Sequence, residues 1–518
     1  MRRRYSIVAV ALLGVLVTGC GSDGADVGTL PSPWEEALVR PDTPGNTLLF
    51  NFEPSDVVVT HGSTGGHFLV HYTTDGVNAV PSADQNTNSV PDFVEDVADV
   101  YDEVLAYYQG TLGFRAPLSD ENITDNGGDG RFDVYLVDFN GMGDGNYQND
   151  SCTGQVCAGY MVQENDFAGY GYPTTTMANR ILGSHEFFHA VQAGYDTEQG
   201  SVMAEGTAVW ATESFDGTLP DFEYFIDGYF DNPDRSLDVP MPGPVDPFSY
   251  GSAIFFKFLE ERFGAGTVLD LWERCENGAN GVADPVWFQE LDSLLSDADD
   301  SSFAAGFVEF AGYNLLTDDY ADPARSYANG DDYPAVAIEP TATPYVDEKM
   351  RVFYASTQYY GLIPDGRAAM TAAVFSPDGD PADTEGISTL LAVRRGTSYD
   401  PFVQLTDLAA GSETVDTSGA DLLVVAVINT LQEGDSRRPA LCIGSPEEVE
   451  VCRTNLAGVG GAGGAGGGGA GIDPDDPDGT DDSGGCGCRV TGRSTEDVRL
   501  PFLLGLLALA LGRRRRRH

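Results

Sequence analysis

The stretch His185-Glu186-Phe187-Phe188-His189 decides how the middle of this 518-residue chain folds and what it can bind. Four residues make slightly more than one helical turn, so the two imidazoles project from the same helix face. Histidines at this spacing can hold one Zn²⁺, and Glu186 can act as a base toward water without binding the metal. The alternative is a pair of core histidines, but the chain has only 6 histidines, so an accidental match is improbable. The pattern predicts a zinc-hydrolysis site on a helix over 177–193.

The third zinc ligand is not part of this motif. A catalytic zinc ion usually has three protein ligands and one open position. The longer motif that ends in a third histidine is excluded, because Gln192 and Tyr195 occupy two of its required positions. A carboxylate is therefore expected, and the preferred residue is Glu205, in a second segment with a helical pattern. Glu213 and Asp196 remain alternatives, and Glu213 is also a candidate partner of a ligating histidine.

Hydrolysis at such a site would use two further elements. A hydrogen-bond donor must stabilise the developing oxyanion, and Tyr250, which opens an apolar helix, is the candidate for this role. Tyr195 is the alternative, and a buried structural tyrosine is the other interpretation of both residues. The segment 159–163 has the pattern of a strand, and at a sheet edge it would align an extended peptide by main-chain pairing.

Residues 185–192 and 205–210 together resemble the gluzincin metallopeptidases, and they are similar to a set of predicted secreted metalloproteases found in myxobacteria. The likeness covers 68–264, a little over a third of the chain. It implies a thermolysin-like domain that hydrolyses peptide bonds in proteins or peptides, with zinc on the two histidines and Glu205. The chain departs from the thermolysin-like pattern at Val209, where an aspartate is expected four residues after the ligand.

A second metal-type pattern begins at Asp84. Oxygen-bearing side chains occupy positions 1, 3, 5, 9 and 12 of a loop that resembles an EF-hand loop, in which position 7 contributes a main-chain carbonyl. Ser89 replaces the usual glycine and Pro91 is unusual, so we expect a calcium loop outside a true EF-hand pair, in preference to a capped turn. The candidate calcium ligands are Asp84, Asn86, Asn88, Val90, Asp92 and Glu95.

Cysteine spacing indicates an oxidising compartment. Two pairs are close enough in sequence to close small loops, whereas the spacing of a zinc finger is absent. The predicted disulfides are Cys152–Cys157 and Cys442–Cys452, which leave Cys275 unpaired.

Both ends of the chain have patterns typical of export and anchoring. A basic start and the apolar run 7–17 are typical of a signal peptide. It ends in a sequence that resembles a lipobox, which implies lipidation of Cys20 and a location in the outer membrane or at the surface of a Gram-negative bacterium. The apolar run 501–511 before a row of arginines resembles the myxobacterial C-terminal sorting signal and is too short to span a bilayer.

The composition limits the partners. With 81 acidic and 28 basic residues, the formal net charge of −53 argues against nucleic acid and suits an exported, cation-binding protein. A hydrophobic content of 42% is sufficient for folded domains. We predict an α+β fold, in which a thermolysin-like catalytic domain precedes an all-β sandwich. The predicted segments are a lipoprotein signal peptide (1–20), a tether (21–33), the catalytic domain (34–334), the sandwich (335–455), a Gly/Asp-rich linker (456–485) and the sorting signal (486–518). Expected strands include 48–52, 68–72, 350–355, 369–374 and 422–427.

The sequence leaves three functions open. The leading hypothesis is a surface-anchored zinc endopeptidase that uses protein or peptide substrates. The alternative is a calcium-stabilised adhesion or binding protein with a vestigial metal site. The presence of Glu186 argues against it, because an inactive descendant of an enzyme would be free to lose this base. A third is zinc hydrolysis of a cell-wall peptide or an ester, because the metal chemistry does not name the substrate. The sequence does not predict an oligomeric state.

Overall fold

A mixed sheet near the N-terminus supports the helices that carry the predicted zinc ligands. The structure, a computed structural model, describes residues 39–460 except 243–245, 349 and 406–410. Its strands are β1 (Val59–Gly62), β2 (Phe68–Tyr72), β3 (Phe132–Val137), β4 (Gly145–Thr153) and β5 (Val156–Glu164), in the order β1-β2-β3-β5-β4. The two inner pairs are parallel and the two outer pairs are antiparallel. The inner strands are almost wholly buried, as expected for strands covered on both faces.

The expectation that 159–163 forms a sheet edge was wrong. This segment lies in β5, which pairs with β3 on one side and with β4 on the other. A tight turn at Gly154, whose φ of +65° favours glycine, folds β4 back along β5. The hairpin partner therefore occupies the edge that the sequence pattern assigned to β5.

Ten α-helices follow in the described part of the chain, and two of them pack on this sheet. They are α1 (Asp92–Tyr107), α2 (Thr175–Ala193), α3 (Ser201–Phe215), α4 (Asp221–Phe225), α5 (Asp227–Phe230), α6 (Pro247–Gly251), α7 (Ala253–Phe263), α8 (Thr267–Arg274), α9 (Trp287–Asp299) and α10 (Phe303–Tyr313). The predicted helix around the histidines is α2, which begins after Thr174, whose hydroxyl accepts a hydrogen bond from the Met177 N–H at 3.1 Å. α1 and α2 both contact this sheet and each other.

Two antiparallel sheets pack face to face in the second half of the described chain. Their strands are β6 (Pro340–Thr341), β7 (Tyr345–Asp347), β8 (Ser356–Leu362), β9 (Ala369–Phe375), β10 (Ile387–Arg395), β11 (Ser398–Tyr399), β12 (Val403–Leu405), β13 (Glu413–Asp416), β14 (Leu422–Asn429) and β15 (Ala440–Gly444). One sheet has the order β11-β10-β14-β8-β6 with β12 beside β10, in which only the short β6 runs parallel to its neighbour, and the other has the order β13-β9-β15-β7. Apolar side chains of both sheets form one core. Helix α11 (Pro446–Gly460) packs on β9 and β15 and crosses the predicted boundary at 455–456.

The mixed α and β architecture with several sheets is compatible with the predicted α+β class. The strands expected at 68–72, 369–374 and 422–427 are present as β2, β9 and β14. Those expected at 48–52 and 350–355 were wrong, since neither segment forms a strand. Phe50 and Phe52 instead pack on the outer face of the first sheet, where the Phe50 ring stacks on Phe139 at 3.8 Å.

The helical part and the sandwich share a hydrophobic core. Leu390, Ala426 and Ile428 of the sandwich belong to the same buried cluster as the helices around α2. The Tyr359 hydroxyl also donates to the Ala311 carbonyl of α10 at 2.8 Å. The two parts therefore stabilise each other through direct packing.

Both predicted disulfides form. Cys152–Cys157 joins β4 to β5, and Cys442–Cys452 joins β15 to α11. Cys275 is a buried free thiol. Two short covalent links therefore fix the hairpin next to α2 and the helix that closes the sandwich.

Several predicted features lie outside the described residues. These are the signal peptide with Cys20, the tether, the linker beyond 460 and the C-terminal sorting signal. Within the described part of the chain, no helix combines the length and the apolar character needed to cross a membrane.

A buried arginine fixes the N-terminal segment to the outer face of the first sheet. Arg40 is only 1% exposed and forms ion pairs with Asp120, Asp133 and Asp150. His71 lies in the same cluster, with Nε2 2.7 Å from the Asp133 carboxylate. Three carboxylates share one guanidinium, so the cluster tolerates burial only while Arg40 is present.

We predict that Arg40→Met lowers the free energy of unfolding by about 3–5 kcal/mol, because it leaves buried carboxylates without a counter-charge. The matched control is Arg262→Met, which removes an ion pair with Glu309 whose two side chains are each 39% exposed. That change should cost less than about 1 kcal/mol. Denaturant unfolding measures both values, and equal effects of the two variants would contradict the structural role of Arg40.

Candidate metal site

Helices α2 and α3 pack side by side in opposite directions. In the middle of α2, the Ser184 hydroxyl lies 3.0 Å from the Thr212 hydroxyl near the end of α3. Late in α2, the Gln192 amide lies 2.9 Å from the Thr207 hydroxyl in the first half of α3. The register brings the start of α3 opposite the two histidines.

His185, His189 and Glu205 converge between the two helices. Each offers one donor atom, and the three atoms lie within 4.8 Å of one another. Glu205 Oε2 is 3.2 Å from Nε2 of His185 and 3.5 Å from Nε2 of His189. A tetrahedral zinc ion with bonds of 2.0–2.1 Å would separate its ligands by about 3.3 Å. Both distances from the Glu205 oxygen to the histidine nitrogens are close to this separation.

The electrostatics of the three side chains favour positive charge between them. Burial opposes charge on Glu205, but the two histidines outweigh it and hold the Glu205 pKa below its usual range. Burial likewise disfavours a charged His189, yet the attraction of Glu205 raises the His189 pKa to about 9. His185, which is 1% exposed, has its pKa lowered by burial. A cation bound between the three side chains would be attracted by the Glu205 carboxylate, which in its absence attracts the added proton on His189.

The rival ligands are elsewhere. Neither Glu213 nor Asp196 belongs to the converging group. Burial raises the pKa of Glu213 to about 7, and its Oε2 has no hydrogen-bond partner in the described chain. Asp196 accepts hydrogen bonds from the Glu198 N–H at 2.9 Å and from the Gln199 amide at 2.8 Å. The structure therefore brings only Glu205 of the three candidates to the histidines.

Glu186 is buried between α2 and the edge strand β4. It is 5% exposed, and its Oε2 accepts a hydrogen bond from the backbone N–H of Tyr147 at 3.0 Å. Burial raises the pKa of Glu186 to about 8. A carboxylate with a raised pKa next to a cation site is suited to accept and return a proton near neutral pH.

Tyr250 lies beside the metal ligands, and Tyr195 does not. The Tyr250 ring stacks on the His185 ring with centroids 5.6 Å apart, and burial together with the nearby Glu205 carboxylate raises the Tyr250 pKa well above its usual value. The Tyr195 hydroxyl instead accepts the backbone N–H of Arg115 at 3.0 Å. Of the two tyrosines considered for the oxyanion, Tyr250 is the one that lies against the converging group.

Sequence reasoning missed two groups of the site. One is the Tyr147 N–H described above, which no side-chain pattern can reveal. The other is Gln192, whose amide oxygen lies 2.8 Å from Nδ1 of His189. The only signal for Gln192 in the sequence was its position one turn after His189. That position served above only to exclude the longer motif with three histidines.

The predicted calcium loop forms a compact turn before and into α1. The amides of Asn86 and Asn88 both donate to the Glu95 carboxylate, at 2.9 and 2.7 Å, and Asp84 accepts backbone N–H groups of the same loop. Asp92 instead accepts hydrogen bonds from Gln85. Asp84, Asp92 and Glu95 do not form a converging set of donor atoms like that at the histidines. Calcium binding by this loop stays a prediction.

Comparison with known proteins adds no family assignment, since no family model matches the chain and no curated protein is significantly similar to it. The case for the site therefore rests on its own geometry.

We predict that Glu205→Gln weakens zinc binding by at least about 100-fold, because losing a direct ligand should cost more than losing an outer partner. Glu213→Gln, a matched change in the same helix, should leave the affinity unchanged. Competition with a chromophoric chelator measures both. Equal weakening by the two substitutions, or none by Glu205→Gln, would remove Glu205 from the site.

Proposed function

We propose that the chain is a zinc-dependent endopeptidase of the gluzincin type, exported and anchored at the cell surface. The observation that carries this proposal is the convergence of His185, His189 and Glu205 with the buried base Glu186 beside them. The donor set of two imidazoles and one carboxylate is that of catalytic zinc sites in this type of enzyme. The antiparallel pair α2 and α3 under a sheet with an exposed edge supports a thermolysin-like domain.

The residues around the site have distinct roles in this proposal. Zinc, when bound, supplies Lewis-acid activation of water and of the scissile carbonyl. Glu186 accepts the proton of the attacking water and returns it to the leaving amine, a task that its raised pKa permits. The Tyr250 hydroxyl donates to the oxyanion that develops on the carbonyl.

The edge strand β4 supplies the surface that orients the substrate. Among the described strands it pairs only with β5, and at Tyr147 it touches Glu186 directly. An extended peptide that adds to the free side of β4 lies along α2, with its backbone held by main-chain hydrogen bonds. Such pairing reads the peptide backbone, which favours a peptide substrate over an ester.

We predict that Glu186→Gln lowers kcat/KM for casein by about 10²–10⁴-fold, because the amide cannot accept the proton of water. The variant should still bind zinc, since Glu186 is not a ligand. Zinc content by mass spectrometry and cleavage of labelled casein give the two readouts. A wild-type protein without zinc or cleavage, indistinguishable from the variant, would favour the adhesion hypothesis.

We also predict that Tyr250→Phe lowers kcat by about 10²–10³-fold and leaves KM nearly unchanged, because the ring keeps its stacking on His185 while the donor is lost. Tyr195→Phe is the matched control and should retain kcat. Among the described residues, the Tyr195 hydroxyl hydrogen-bonds only to the backbone N–H of Arg115. Steady-state kinetics on a labelled peptide measures both. If Tyr250→Phe keeps wild-type kcat, the oxyanion donor is another group.

A further inference from the structure

Gln192 has a place in the site that the proposed mechanism does not use. It lies one turn beyond His189 in α2 and is 5% exposed. Its Oε1 is 2.8 Å from Nδ1 of His189. Oε1 can only accept a hydrogen bond, so Nδ1 keeps its proton, and in the neutral ring the lone pair lies on Nε2, the nitrogen that faces Glu205. This contact selects the tautomer of His189 that can bind a metal.

The other end of the same amide holds α3. Its Nε2 donates to the Ala204 carbonyl at 2.8 Å and to the Thr207 hydroxyl at 2.9 Å. Ala204 immediately precedes the ligand Glu205 in the chain. One side chain therefore fixes a ligand on α2 and the backbone next to a ligand on α3.

The surroundings leave the amide a single orientation. Thr207 is fully buried, donates to the Met203 carbonyl at 2.8 Å and accepts from the Trp272 indole at 3.3 Å. A flipped Gln192 amide would set its oxygen against the Ala204 carbonyl, which can only accept a hydrogen bond. That contact would be repulsive, so each half of the amide has one role.

The other histidine has no comparable partner. Nδ1 of His185 is buried and makes no hydrogen bond within the described chain. The His185 ring is held instead by packing on Tyr250. Gln192 therefore provides the polar support that outer partners usually give to the histidine ligands of a metal.

We propose that Gln192 is the positioning residue of the metal site, and that a glutamine is required because its acceptor orients His189 while its donor holds the turn of Glu205. A carboxylate, the common partner of a zinc-bound histidine, could perform only the first of these tasks. The inference rests on the proposed function only in requiring that the site binds zinc.

The test compares Gln192→Leu, which removes both contacts, with Gln192→Glu, which keeps the acceptor for His189 and loses the donor to Ala204. Zinc affinity is measured on the full chain by competition with a chromophoric chelator. Both variants should bind zinc about 10–100-fold more weakly than the wild type. The visible spectrum of the Co²⁺-loaded protein should change in both as well, because the ligand geometry relaxes.

Gln163→Leu is the control for loss of a buried amide far from the metal. Gln163 is fully buried, donates to Asn179 at 2.8 Å and accepts from Tyr101 at 3.0 Å. It should lower the thermal unfolding temperature without changing zinc affinity or the cobalt spectrum. Should Gln192→Leu unfold at the assay temperature, Gln192→Glu still provides the test.

The outcomes separate this inference from the proposed function. A wild-type protein that binds no zinc overturns both proposals. A wild-type protein that binds zinc, with Gln192→Leu binding equally well, overturns only the positioning role. Gln192→Glu binding as tightly as the wild type overturns the requirement for a donor to Ala204.

Discussion

The packing of α2 against α3 is the constraint on which the rest of the site depends. One helix fixes His185 and His189 relative to each other, but Glu205, the third member of the candidate site, comes from the other helix. A small slide of α3 would therefore carry Glu205 out of reach. Hydrogen bonds at both ends of the contact, from Ser184 and Gln192 to hydroxyls of α3, hold this register. The site is thus a property of a helix interface, and not of the histidine motif alone.

Burial connects this interface to the sheet. α2 is buried over most of its length, including polar residues that need partners to tolerate such a position. Asn179 finds one in Gln163 of β5, and Glu186 finds one in the N–H of Tyr147 on β4. The same burial raises the pKa of Glu186 toward neutrality. The burial that holds α2 in place therefore also raises the pKa of Glu186, and the same contacts place the Glu186 carboxylate against the edge strand β4.

Local spacing explains why the sequence predicted part of this arrangement. Two histidines four residues apart share a helix face whatever the tertiary fold, and Glu205 follows a loop long enough to reverse the chain. Strand positions were less certain, because alternating apolar residues report burial of alternate side chains and not pairing. Phe50 and Phe52 flank Asn51 in this way, but they pack on a sheet face and their segment forms no strand. Whether β4 or β5 forms the sheet edge depends on the order of the strands in the sheet. The residue pattern of a single strand does not give that order.

Gln192 shows the limit of motif reasoning most clearly. A glutamine within a helix has no spacing rule that marks it, and its role depends on the distances to His189 and to the Ala204 carbonyl. Those distances exist only after α2 and α3 have packed. Residues that support ligands through hydrogen bonds are therefore identified from distances in the structure and not from a sequence pattern.

The most direct test of the account is the zinc K-edge X-ray absorption spectrum of the purified, zinc-loaded protein. If His185, His189 and Glu205 hold the zinc ion, its first shell contains nitrogen and oxygen at about 2.0–2.1 Å and no sulfur. Two imidazoles then contribute outer-shell scattering. The spectrum of Glu205→Gln should differ in this first shell, because the carboxylate oxygen is lost. A first shell that contains sulfur, or one imidazole only, or that is unchanged in Glu205→Gln, would contradict the site described here.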